Sequence, residues 1–172
     1  ERSAFEASWL AHAIVDGLTP AHHYPFEAEL EKLRGEGKET RDTVFKKVVI
    51  PGSTAKEIVT KNWEMWGSKG LFTTHALFEM GAAMIIAPMT YRIAQPNRYE
   101  LKKVQQIGLS EYFKRVAREV ALLNMYEDFY KRGWTPKLAK IVRLELAPKM
   151  GRAVSLAWFM AAKEADLTSA EV

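Results

Sequence analysis

Four histidines carry most of the chemistry this sequence offers: His12, His22, His23 and His75, the only ones in 172 residues. His12 stands four residues before Asp16, and His75 four residues before Glu79. On a helix that spacing puts imidazole and carboxylate on the same face, one turn apart. Such a pair can share a hydrogen bond across the helix surface. It can also grip a divalent ion without straining the backbone. The first pair continues as His12-Ala-Ile-Val-Asp16-Gly-Leu-Thr-Pro20-Ala-His22. Given one His, average composition puts Asp, Pro and His at those three offsets in about 10⁻⁴ of cases, so the pattern reads as a motif. The second pair lies in an apolar stretch, where a hydrogen bond or a metal must satisfy it. His22, His75 and Glu79 together would be two imidazoles and a carboxylate. That set leaves one tetrahedral position of zinc open, as in catalytic sites, whereas structural sites are closed by a fourth ligand.

Other residues have two readings each. His23 can serve as an alternative ligand, or it can point away from its neighbour, since adjacent residues on a turn seldom face one ion. Trp9, Tyr24, Trp63 and Trp66 can line a substrate cleft or pack in a core. Arg41, Lys46 and Lys47 can clamp a phosphate or form a solvated charged surface.

The elements that must position these residues read as helices joined by short loops. Phe5, Trp9, Leu10, Ala13 and Ile14 recur at helical spacing, which predicts a helix over Phe5–Asp16. Gly17 stops it, and Thr19-Pro20 can start a new turn. Phe26–Leu33 reads as a short acidic helix. Residues 35–52 read as a charged loop insert, with a β-branched patch at Val48, Val49 and Ile50 that could form a short strand. Thr54 with Glu57 is a capping box opening a helix through Trp66. Leu71–Ala87 is the most apolar helix, stopped or kinked at Pro88. Gln95-Pro96-Asn97 is a turn. Leu109, Phe113, Val116, Val120 and Leu123 form the stripe of one amphipathic helix over Leu109–Arg132, ended by Gly133. Thr135-Pro136 starts a further helix, Pro148 is expected to break it, and Gly151–Ala165 resumes. Strand signals are nearly absent, so the expectation is an all-α fold in one domain.

Composition narrows the classes. The chain is 48% hydrophobic and 27% charged, the profile of an ordinary globule. The absence of cysteine excludes disulfides, thiolate catalysis and Cys-based zinc or iron–sulfur sites. The charge-free run Met80–Tyr91 is shorter than the about 20 apolar residues a membrane span needs. No signal peptide is visible. The chain opens on Glu1 without a methionine, which predicts an upstream segment. Net charge is +4 and uneven: Asn97–Arg152 holds 13 Lys+Arg against 6 Asp+Glu. A basic second half suits an anionic partner, though a cation-rich helical surface would look the same.

The HxxxDxxxPxH pattern of His12, Asp16, Pro20 and His22, with HxxxE at His75 and Glu79, resembles the core metal motif of the zinc-dependent phospholipase C and single-strand-specific nuclease superfamily. The resemblance covers residues 12–22 and 75–79. It implies a compact all-α multi-helix domain like the phospholipase C fold, carrying up to three zinc ions. His22, His75 and Glu79 would bind one ion, while His12 and Asp16 would serve the others. Asp16, bridging ions or orienting water, and Glu79 are the carboxylates expected to take part in catalysis. The implied reaction is hydrolysis of a phosphate ester in an anionic partner, a phospholipid or a nucleic acid, by a zinc-activated water. The family's remaining ligands precede its main motif, and only eleven residues, without His or Asp, precede His12. The other class consistent with these residues is a non-catalytic helical metal-binding or interaction domain that uses its basic half to bind anions.

Overall fold

Most stretches in which apolar residues recur at three- and four-residue spacing are helical. A computed structural model describes residues 2–90 and 95–170, with side chains to residue 165, and every regular element among them is a helix. The chain forms two compact units: Glu1–His23 with Ala82–Val172, and Tyr24–Gly81.

The larger unit begins with α1 (Arg2–Leu18) and a 3₁₀ turn (Pro20–His23). After the last turns of α5 (Leu71–Ile86) it continues with α6 (Arg98–Ile107), α7 (Leu109–Ala121), α8 (Met125–Arg132) and α9 (Pro136–Ile141). A π-helical turn (Val142–Leu146) then leads into α10 (Ala147–Ala170). α10 packs against α1, α6 and α7. The side chains that vanish from solvent here are Leu18, Val104, Val120, Met125, Leu138, Val142, Leu146 and Leu156. Polar ties join the same helices. Lys149 pairs with Glu119 at 2.7 Å, Arg152 pairs with Glu100 at 3.1 Å, and Trp158 Nε1 donates to the Ala7 carbonyl at 2.9 Å.

The smaller unit holds α2 (Phe26–Arg34), α3 (Val44–Val48), α4 (Ala55–Trp66) and the first turns of α5. Leu30, Ile50 and Met65 form its core, with Phe26, Leu33 and Leu71 packed against them. Arg34 is buried and ion-paired to Glu36 at 2.8 Å.

Four expectations need correction. The helix foreseen over Leu109–Arg132 is two. Leu122 ends α7 and Asn124 adopts a left-handed conformation (φ 48°), which asparagine tolerates better than most residues. The turn foreseen at Gln95–Asn97 opens a full helix, α6. Its capping box is complete: Glu100 N–H donates to Asn97 Oδ1 at 2.9 Å, and Asn97 N–H to Glu100 Oε2 at 2.8 Å. Pro148 does not interrupt the chain of helices. It sits inside a continuous helical run, and the π turn just before it re-registers the backbone around the proline. Finally, the segment foreseen as a loop with a strand contains a 3₁₀ turn (Lys38–Thr40) and α3. Val49 is extended, yet what pairs the backbone of Ile50 is a side chain. Ile50 N–H donates to Asn62 Oδ1 at 3.0 Å, and Asn62 Nδ2 donates to the Ile50 carbonyl at 2.8 Å.

Candidate metal centre

In the smaller unit, His75 and Glu79 face each other on α5, with Nε2 and Oε1 3.0 Å apart. The His75 side chain is 19% exposed and that of Glu79 40%, so the pair opens to solvent on the carboxylate side. The Phe26 ring meets the imidazole edge-on, with centroids 5.4 Å apart.

Two glycines set where α5 begins. Gly67 ends α4 by donating its N–H to the Trp63 carbonyl at 2.8 Å. Gly70 N–H donates to the Gly67 carbonyl at 2.8 Å, and the Gly70 carbonyl accepts from Thr74 N–H at 2.9 Å in the first turn of α5. A Cβ on Gly70 would lie 2.5 Å from the Met65 carbonyl oxygen. Backbone packs against backbone at this corner, and glycine alone permits it.

In the larger unit, His12 Nε2 and Asp16 Oδ2 lie 3.1 Å apart on α1, with the two side chains 64% and 44% exposed. Trp9 packs edge-on against His12, with centroids 5.9 Å apart. Thr19 N–H donates to the Asp16 carbonyl at 3.0 Å, and His22 N–H to the Thr19 carbonyl at 2.9 Å. These bonds wind the 3₁₀ turn that carries His22. His23 bends back, its Nε2 3.0 Å from the Gly17 carbonyl, and so satisfies one of the orphan carbonyls at the end of α1.

Two of the candidate phosphate clamps are engaged with acids. Arg41 is ion-paired with Glu27, and Lys46 with Asp42 at 2.9 Å. Trp9, Tyr24, Trp63 and Trp66 are all exposed rather than core residues. Much of the basic second half is paired: Arg115 with Glu111, Lys131 with Glu127, Arg132 with Asp128, Lys149 with Glu119, and Arg152 with Glu100. An open cleft of about 550 Å³ remains beside Pro136, Ala139, Lys140, Arg143 and Leu144. The Phe26–His75 contact was not foreseeable. The two residues are far apart in sequence, and helical periodicity carries no information about which faces meet.

No family model, no curated protein and no solved structure matches the chain. No helix among the described residues is long and apolar enough to cross a membrane.

Proposed function

We propose that this chain is a metal-dependent phosphoesterase in which His22, His75 and Glu79 hold one divalent cation, with zinc preferred. The observation that carries the reading is the His75–Glu79 pair on α5, with Nε2 and Oε1 3.0 Å apart and the Phe26 ring packed on the imidazole. His22 enters as the third ligand through the HxxxDxxxPxH resemblance. Imidazole nitrogen and carboxylate oxygen are the donors zinc favours in sites that keep a position open. Bound there, zinc would act as a Lewis acid and lower the pKa of a water ligand toward about 7. Glu79 would ligate the ion in place of its present contact with His75. His12 and Asp16 satisfy each other 3.1 Å apart, so one ion rather than three would be held. The kinship with phospholipase C-like enzymes, and phospholipid or nucleic acid diesters as substrates, belong to the same proposal.

The test is metal content followed by activity. Protein purified without chelator should carry about one equivalent of zinc per chain, in keeping with one such ligand set. His75→Ala and Glu79→Ala should each lose it while retaining helical circular dichroism. A chromogenic phosphodiester, phospholipid vesicles and single-stranded DNA are the substrates to try. Metal-free protein that also fails to take up added zinc would end the reading.

The cleft beside Lys140 and Arg143 favours the second reading, a non-catalytic domain that binds anions. Anion binding by a protein that takes up no zinc, weakened by Lys140→Glu with Arg143→Glu, would decide for it.

A further inference from the structure

The smaller unit presents apolar side chains to water on two adjoining helices. On α3, Val44 and Phe45 are 77% and 71% exposed, Val48 is half exposed, and no residue of the helix is buried. On α4, Val59 and Trp63 are each 69% exposed and one turn apart, with Trp66 on the next turn. The two helices join at Trp66, whose indole N–H donates to the Val48 carbonyl at 2.8 Å. Phe72 extends the surface by packing on the Trp66 ring, with centroids 4.7 Å apart. Exposed apolar residues scattered singly are normal, but a connected surface of this kind marks a contact site.

The charges beside it select the partner. Lys46 and Lys47 sit between Phe45 and Val48, and Lys69 lies between Trp66 and Phe72. Lys46 also pairs with Asp42 at 2.9 Å and Glu64 follows Trp63, so the excess of positive charge on this face rests on Lys47 and Lys69. Tryptophan, phenylalanine and valine with interleaved lysines match the boundary of a lipid bilayer. There the rings enter the headgroup region and the ammonium groups meet lipid phosphates. A protein partner that covered this much apolar surface would not ask for lysines in its middle. α3 also shows why the surface persists: no residue of the helix is buried, and its N-terminus is held by a local bond. Thr43 caps it by accepting from Lys46 N–H at 3.2 Å, so its side chains are free to enter another medium.

We propose that this face of the smaller unit, centred on Phe45, Trp63 and Trp66, docks the protein on an anionic lipid surface. Docking is independent of the metal site and of any hydrolytic activity.

The experiment is flotation of the full chain with vesicles of phosphatidylcholine alone and of phosphatidylcholine with phosphatidylserine, in the presence of chelator. The protein should float with the anionic vesicles and dissociate as salt is raised. Phe45→Ser with Trp63→Ser, both at exposed positions, should weaken binding at least about tenfold. Lys47→Gln and Lys69→Gln should each cost about fivefold on anionic vesicles and little on neutral ones. Circular dichroism of each variant checks that the fold is kept. Absence of binding at low salt, or binding that the Phe45/Trp63 variant leaves unchanged, overturns the proposal. So does concentration-dependent dimerisation that the same variant abolishes without any effect on lipid, because the face would then bind a second copy.

Discussion

Asn62 and Glu36 show how single polar groups hold the smaller unit together. Ile50 is fully buried, and both of its backbone groups are bonded to the Asn62 amide. Asn62→Leu strands that N–H and that carbonyl, and should cost about 1–3 kcal/mol in urea unfolding. Glu36 works through charge. A hydrogen bond from Arg34 holds its carboxyl below the usual carboxylate range. A carboxylate whose pKa is lower folded than unfolded adds stability above its unfolded value, which is lost as pH falls through the folded value. The native chain should therefore lose stability as pH drops below about 4.5, the ordinary glutamate value. Glu36→Gln should be less stable at neutral pH and flatter across that acid range. Denaturant unfolding at a series of pH values measures both.

At the scale of elements, caps and corners decide where helices begin. Asn97 and Glu100 satisfy each other's backbone N–H groups at the start of α6. Asn97→Ala should destabilise the larger unit by about 1 kcal/mol, read as a lower urea midpoint with an unchanged slope. The α4–α5 corner is less forgiving. Any side chain at Gly70 meets the Met65 carbonyl carbon and oxygen, which belong to the backbone and cannot rotate away. Gly70→Ala should cost about 1–3 kcal/mol, as overpacking does elsewhere. Because α5 starts at this corner, the variant should also weaken zinc uptake more than Asn97→Ala does. The helix capping at Thr54 and Glu57 was readable from spacing. Its reciprocal bond is displaced by one residue, since Glu57 Oε2 accepts from Ser53 N–H at 2.8 Å.

At the scale of the molecule, a ligand that binds only the folded chain stabilises it by mass action. Zinc at a hundredfold over its dissociation constant should add about 2.7 kcal/mol. The thermal midpoint should rise with zinc, return with chelator, and fail to rise in His75→Ala. A rise of equal size in that variant would place the ion elsewhere.

The spacing of residues along the chain was enough to establish the all-helical fold. It also established the His12–Asp16 and His75–Glu79 pairs and the stops at Gly133 and Pro88, because each depends on neighbours within about one helical turn. The tertiary structure alone decided what lay beyond that range. The apolar stripe of Leu109–Arg132 is continuous in sequence, yet the chain turns at Leu122–Asn124, where an asparagine can take a left-handed conformation. Pro148 reads as a breaker until the π turn before it absorbs the missing donor. Val48–Ile50 has the residues of a strand, but a strand needs a partner, and Asn62 supplies the hydrogen bonds instead. The Phe26 ring on His75 belongs to the same class, since the meeting of α2 with α5 is set by packing around Leu30, Ile50 and Met65. Local hydrogen bonds make helices legible one turn at a time, while the faces they present to each other depend on contacts between residues far apart in the chain.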